Sequence, residues 1–161
     1  MHTFCEVGLN AGHSAANALF AKPSVTYVSF DIKMLRWSNI TSQFLDRVFP
    51  GRFVSVPGSS LETLPAYANG LKIGKYTRIC DVLSVDGDHG GDAPYRDIVN
   101  GRALSRPGGI VLIDDWIDVA PSVKDAWSRA KREGVLKEVA CIDPGFFVGE
   151  YRKAWCAGIY I

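Results

Sequence analysis

Glu6-Val7-Gly8-Leu9-Asn10-Ala11-Gly12-His13-Ser14 lies almost at the N-terminus, between a short apolar run and a segment of helical character. The run before it, His2 to Cys5, predicts a strand, and Ser14 to Lys22 predicts a helix. Strand, glycine turn and helix together open a nucleotide-binding α/β unit. Gly8 and Gly12 let the chain turn sharply and approach a ligand closely, because neither carries a Cβ. The helix beyond offers unpaired N–H groups and the positive end of its dipole to a polar or anionic group. Ser14 is placed to cap it. The spacing is Gly-x-x-x-Gly, not the Gly-x-Gly-x-x-Gly of dinucleotide enzymes, which disfavours a nicotinamide-dependent oxidoreductase.

Outward from that stretch, strands and helices alternate. Ser24 to Asp31 is rich in β-branched and aromatic residues and reads as a buried strand. Met34 to Phe49 places Leu35, Ile40, Phe44, Leu45 and Val48 at roughly helical spacing, and Pro50-Gly51 stops it. Arg52 to Val56 predicts a third strand, ending in Pro57-Gly58-Ser59-Ser60. Leu61 to Leu71 predicts a short helix with Ser59 or Ser60 as cap and Glu62 in its first turn. Asp81 to Val85 predicts the fourth strand, closing in Asp86-Gly87-Asp88-His89-Gly90-Gly91. A helix over Ala93 to Leu104, a turn at Pro107-Gly108-Gly109 and a fifth strand over Ile110 to Ile113 follow, ending in Asp114-Asp115-Trp116.

Val119 to Glu133 is amphipathic, with Val123, Ala126, Trp127 and Ala130 on one side. Its basic residues Lys124, Arg129, Lys131 and Arg132 read as a solvated face, and Gly134 ends the helix. Val135 to Ile142 and Ala154 to Ile161 then form two strands with no helix between them, the connection of an antiparallel pair. The expected fold is a single doubly wound Rossmann-like α/β sheet, mostly parallel with an antiparallel C-terminal strand pair. Ligands bind at the carboxyl ends of the strands in such folds, and the unusual polar residues fall at those ends.

At 161 residues the chain predicts one domain, spanning 1–161. With 47% hydrophobic and 22% charged residues it has globular composition, which excludes a disordered chain or a coiled coil. A formal net charge of +1 points to neither nucleic acid nor an acidic membrane as partner. No apolar run approaches the roughly 20 residues that span a bilayer, and no leader pattern opens the chain. Cys5, Cys80, Cys141 and Cys156 contain no Cys-x-x-Cys pair, so buried free thiols in a reducing, cytoplasmic setting are expected. Asn39-Ile40-Thr41 matches a glycosylation sequon, a pattern common by chance. The first strand begins within a few residues of Met1, whereas nucleotide-binding domains often carry helices ahead of it, so the expectation is a truncated or a minimal form.

The pattern resembles a class I S-adenosylmethionine-dependent methyltransferase over the whole chain, closest to the small-molecule O-methyltransferases, metal-dependent ones included. Glu6-Val-Gly8-x-x-x-Gly12-x-Ser14 is similar to the family's first motif, so Glu6, Gly8, Asn10, Gly12 and Ser14 are implied to hold the methionine end and ribose of the cofactor. Asp31 matches the acid that accepts hydrogen bonds from both ribose hydroxyls. Ile32 is implied to lie against the adenine, and Gly58, Ser59 and Ser60 to reach its edge. Val85-Asp86-Gly-Asp88-His89 and Pro107-Gly-Gly-Ile-Val-Leu-Ile-Asp114-Asp115 resemble the fourth and fifth strand signatures, which adds Asp86 to the cofactor site.

Converging carboxylates repel one another unless a cation or proton sits between them. Asp86, Asp114 and Asp115 are therefore the candidate ligands of Mg²⁺, which takes hard oxygen donors. Asp88 and His89 are the candidate general bases for an acceptor hydroxyl. The resemblance implies methyl transfer to a hydroxyl of a small-molecule acceptor, and a homodimer is compatible with it. Plainer roles stand beside these. The glycines can serve only the turn, Asp31 and the Asp114-Asp115 pair only helix caps, Ser59-Ser60 only a turn, and Asp88-His89 only an exposed loop. Trp116 lines an acceptor pocket or packs a loop, and His13 has no chemical role. A metal-independent methyltransferase, or a degenerate binding domain of the same fold, is the alternative.

Overall fold

The computed structural model describes residues 3–117, 120–145, 147–148 and 151–161. Strands and helices alternate as β1 (Thr3–Val7), α1 (His13–Ala21), β2 (Thr26–Asp31), α2 (Arg36–Val48), β3 (Phe53–Pro57), α3 (Ser60–Lys72), β4 (Cys80–Val85), α4 (Ala93–Arg102), β5 (Ser105–Ile113) and α5 (Pro121–Arg132). The remaining strands are β6 (Leu136–Ile142), the two-residue hairpin strands β7 (Phe147–Val148) and β8 (Tyr151–Arg152), and β9 (Trp155–Tyr160). The main sheet runs β3-β2-β1-β4-β5-β9-β6. Its first five strands are parallel, and β9 lies antiparallel between β5 and β6. The mixed sheet with an antiparallel C-terminal pair is the expected architecture.

Two helical layers cover this sheet because its central strands are apolar on both sides. On one face α3, α4 and α5 bury Leu64, Tyr67, Ile98 and Trp127 against Val28, Phe30, Leu83 and Val111. On the other, Leu19 of α1 and Leu45 of α2 pack with Tyr27 and Phe53. Burying one such side chain stabilises the fold by roughly 1.5–3 kcal/mol, so the layers are held chiefly by this apolar contact.

Register fixes where the strands end. Val7 stands beside Phe30 and Val85, Phe30 beside Val56, and Val85 beside Ile113. The next residues, Gly8, Asp31, Pro57, Asp86 and Asp114, therefore form one row along the carboxyl edge. The order reverses between β1 and β4, the place where open α/β sheets bind ligands.

Local expectations are corrected at four places. Helix α1 starts at His13 with Gly12 in the capping position and no side-chain cap bond, so Ser14 sits inside the helix. Ser59 caps α3 by position, as expected, again without a side-chain bond. Pro107-Gly108-Gly109 is no free turn: it belongs to β5 as a bulge, since Cys80 pairs with Ser105 and Val82 only with Ile110. On α2 the periodic apolar residues Ile40, Phe44 and Val48 face outward, while Ser38, Ser42 and Leu45 are buried. The inward face is polar because the Lys33 ammonium donates to Ser42 Oγ and to the Ser38 carbonyl.

The fourth correction concerns cysteine. The structure joins Cys5 to Cys80 between neighbouring strands β1 and β4, and Cys141 to Cys156 directly across the β6–β9 pair. No free thiol is present among the described residues. Strand adjacency, hidden in separations of 75 and 15 residues, brings these partners together. No helix among the described residues is long and apolar enough to cross a membrane. The expected start of the fifth helix at Val119 and of the first strand at His2 lie outside the described residues.

Candidate functional site

The glycine turn after β1 is built by close backbone approach. Gly8 has φ +90°, and a Cβ there would stand 2.1 Å from the Asp86 carbonyl oxygen. Its N–H donates to the Phe30 carbonyl at 2.9 Å, and the Asp86 N–H donates to Val7 at 3.0 Å. The loop is thus stitched to both neighbouring strands. Gly12 serves a different contact: a Cβ would meet Thr41 Cγ2 at 2.3 Å, so it lets α1 approach α2.

Asp31 organises the loops around it. Its Oδ2 accepts from the Leu9 N–H at 2.7 Å and the Asn10 N–H at 3.2 Å, and Oδ1 accepts from the Lys33 N–H at 2.6 Å. Asn10 and Lys33 both adopt left-handed backbone, φ +48° and +59°. Such conformations persist only where surrounding bonds over-determine them, and three bonds to one carboxylate do so here. The Trp37 indole N–H donates to Asn10 Oδ1 at 2.8 Å, fixing the loop tip.

A cleft of about 410 Å³ opens over this row. Gly8, Asn10, Asp31, Ile32, Gly58, Ser59, Ser60 and Asp86 all line it, with Asp88 at the same wall. Glu6, Gly12 and Ser14 do not. Glu6 is 2% exposed and lies beneath the turn. Burial pushes its carboxyl up to about 8, with the Tyr27 and Ser14 hydroxyls pulling back and Asp86 and Asp31 adding to the rise. At neutral pH Glu6 is therefore mostly a neutral support for the loop.

This has a measurable consequence. A carboxyl whose folded pKa exceeds its unfolded value binds the extra proton in the folded state, so its contribution to stability is full below about 4.5 and is lost as pH rises through about 8. Asp86, raised to about 7, and Asp97, raised to about 6, both by burial first, act in the same direction. Glu6→Gln keeps the neutral shape and removes the largest of these costs. It is expected to raise the unfolding free energy by about 2–4 kcal/mol at pH 7.5, on the basis of 1.36 kcal/mol per pKa unit. At pH 4.5 the gain should vanish. Urea unfolding of both proteins at the two pH values checks this, and a gain independent of pH contradicts it.

Beyond the cleft lies the acidic end. Asp86 is drawn up by burial and by its neighbours Asp114 and Asp115. Asp115 has φ +52° and turns its carboxylate back over the strand ends. Its Oδ2 lies 3.7 Å from His89 Nε2, too long for a hydrogen bond. Asp88 Oδ1 accepts from the Gly90 N–H at 2.8 Å, and the Ser122 hydroxyl donates to the His89 carbonyl, so the loop carrying both candidate bases is tied down.

The atoms that approach one another here are those of Asp86, His89 and Asp115, which lie within 4.8 Å of one another. Asp114 turns instead toward a residue the sequence reading passed over. Lys153 Nζ lies 3.0 Å from Asp115 Oδ1 and 3.7 Å from Asp114 Oδ2. Burial opposes its charge, but the bond to Asp115 and the fields of Asp114 and Asp86 hold its pKa above the ordinary range. The ammonium lies against Asp114 and Asp115 and would compete with a divalent ion for their oxygens, which makes the set a poor fit for Mg²⁺. The signal for Lys153 was present in the antiparallel register: Ile113 pairs with Cys156, and the Trp116 N–H donates to the Ala154 carbonyl at 2.9 Å. Those contacts bring residue 153 beside Asp114 and Asp115.

Comparison with known proteins adds the family. A family model described as a methyltransferase domain matches residues 5–116. No curated protein sequence matches the chain significantly. Among solved structures, the O-methyltransferase from Bacillus cereus in complex with SAH is similar at TM-score 0.76 and 14% identity, covering 98% of this chain and 74% of that one. Cofactor-bound Rv0187 from MTB is similar at TM-score 0.76 and 17% identity, covering 99% and 72%. The N-methyltransferase NodS from Bradyrhizobium japonicum WM9 is similar at TM-score 0.69 and 14% identity, covering 99% and 85%. These likenesses extend the shared fold over nearly the whole chain, through the strand pair beyond the matched residues. With its glycine turn, its strand-end aspartates and its sheet order, the chain belongs to the methyltransferase-domain family and is a class I S-adenosylmethionine-dependent methyltransferase.

Proposed function

We propose that this single domain, residues 1–161, methylates a hydroxyl oxygen of a small-molecule acceptor. The observation that carries the reading is the unbroken row of strand ends, which joins a cleft of nucleoside size to an acidic wall at Asp86 and Asp88. Bound S-adenosylmethionine supplies an electrophilic methyl group on a sulfonium. Gly8 and Asn10 border the place for its methionine end, with Gly12 and Ser14 shaping the helix start behind and Glu6 supporting the turn from below. Asp31 offers its remaining lone pairs to the ribose hydroxyls. Ile32 presents an exposed apolar side chain to the adenine, and Gly58, Ser59 and Ser60 close its edge.

In the transfer, the acceptor oxygen's electron pair forms the new bond to the methyl carbon. The carbon–sulfur pair returns to sulfur, and the hydroxyl proton passes to Asp88 or His89. Asp88 is the nearer of the two to the donor, since it lines the cleft. Mg²⁺ assistance at Asp86, Asp114 and Asp115 is a second reading. Their carboxylate chemistry favours it, and Lys153 works against it.

A homodimer would cover the exposed apolar stripe of Trp37, Ile40, Phe44 and Val48 on α2. The cytoplasmic location expected from the sequence rested on the lack of a leader pattern and of a spanning run as well as on free thiols, and the paired cysteines remove the thiol part of that support.

An N-methyltransferase shares this fold, so the acceptor atom is the point to test. Methyl-labelled S-adenosylmethionine is incubated with catechol and with other hydroxylated and amino acceptors, and the product is assigned by NMR. Methyl ethers are the expected products, lost in the Asp88→Asn variant by at least about 100-fold, the usual scale of a positioned base. Methyl on nitrogen contradicts the proposal.

A further inference from the structure

We propose that Lys153 is the resident cation of the acidic cluster, so that Asp86, Asp114 and Asp115 work without a divalent ion. This rests on the reading of the cluster as the acceptor end of a methyl-transfer site. The placement of Lys153 comes from strand pairing. Antiparallel β9 starts at the carboxyl edge of β5, where its Cys156 faces Ile113 while also being bonded to Cys141 of β6. The Ala154 carbonyl receives the Trp116 N–H, which clamps the segment just before β9 onto the segment just after β5. Side chains leaving residues 153, 114 and 115 then have one region to share.

The distances place the ammonium against two of the three carboxylates. Asp115 commits Oδ1 to Lys153 at 3.0 Å and turns Oδ2 toward His89 at 3.7 Å. Asp114 offers Oδ2 to the same ammonium at 3.7 Å. A divalent ion would need these oxygens at about 2.0–2.1 Å and would meet the like charge of the ammonium. Lys153 thus supplies on the chain what a metal would supply from solution: a fixed positive charge that lets neighbouring carboxylates coexist. It acts on the acceptor through Asp114 and Asp115 and is a positioning residue, not a catalytic one.

The test uses Mn²⁺ as probe, read by the loss of its free electron-paramagnetic-resonance signal. It needs neither donor nor acceptor, so its outcome stands whether or not methyl transfer is observed. The wild-type protein is expected to take up no Mn²⁺ at this cluster at millimolar concentration. Lys153→Met, which keeps an unbranched side chain one atom shorter and removes its charge, is expected to gain at least about tenfold in Mn²⁺ affinity, because the like charge is gone. Adding Asp115→Asn to that variant should abolish the gain. Lys153→Gln serves as a second variant should the first not fold, with folding checked by circular dichroism. Wild-type Mn²⁺ binding that disappears in Asp115→Asn overturns the proposal. So does a folded Lys153 variant that gains no affinity. In the methyl-transfer assay, wild-type turnover unchanged by EDTA supports it, and turnover lost to EDTA and restored by Mg²⁺ overturns it.

Discussion

Gly8→Ala abolishes S-adenosylhomocysteine binding and destabilises the protein by about 3 kcal/mol or more, the combined expectation for left-handed strain and an overpacked contact. The alanine methyl group would begin 2.1 Å from the Asp86 carbonyl oxygen, a backbone atom that cannot swing aside. To admit it, the ends of β1 and β4 must part, and with them the loop that carries Asn10 and the wall that carries Asp86. Gly74→Ala is the matched control. Gly74 also has positive φ, +72°, but a Cβ there meets nothing within 4 Å. Its alanine variant should lose only about 1 kcal/mol, the strain alone, and leave binding unchanged. Urea unfolding and calorimetry on the pair separate a ligand cradle from a mere turn. Equal losses at Gly8 and Gly74 would contradict the account.

Asp31→Ala is expected to weaken S-adenosylhomocysteine binding by roughly 100-fold or more, about 2.7 kcal/mol. The carboxylate has two jobs that fail together. It accepts the Leu9, Asn10 and Lys33 amides, and an unmade hydrogen bond to a buried N–H costs about 1–3 kcal/mol. It also keeps lone pairs for the ribose diol. Asp31→Asn divides the two. One amide oxygen still accepts from one side of the loop, while the NH₂ group opposes an N–H on the other. Most of the affinity should be lost in Asp31→Asn with less loss of stability than in Asp31→Ala. If both variants bind like wild type, Asp31 is a loop anchor and no part of a donor site.

Much of this site could be read in the sequence because the fold converts order into position. Gly8, Gly58 and Asp86 each follow a strand and Asp31 closes one, and parallel register sets those strand ends side by side. Glycine and aspartate at such ends are legible one residue at a time, and the helix-to-strand alternation gives their layer. What resists reading is whatever depends on contact between distant segments. The cysteines carry no spacing signal, because the partners of Cys5 and Cys141 are decided by which strands become neighbours. On α2 the helical period was legible while the buried face was not. The sequence shows an apolar stripe, but only the folded chain shows Lys33 taking the polar side inward to Ser38 and Ser42.

Lys153 illustrates the same limit in the site itself. From sequence it is one basic residue in Tyr-Arg-Lys-Ala-Trp, 38 residues from Asp115. Antiparallel pairing closes that distance and sets a lysine ammonium beside Asp114 and Asp115. Glu6 is a comparable case. The motif places it among donor-binding residues, whereas burial makes it a neutral support under the turn.

The central claim is that the cleft bounded by Gly8, Asp31, Ile32 and Ser59 holds the methyl donor. Isothermal calorimetry with S-adenosylhomocysteine tests it without requiring any knowledge of the acceptor. The account predicts saturable heat for a single site, with a matching rise in thermal stability that Asp31→Ala removes. No heat and no thermal shift on the folded wild-type protein would contradict it.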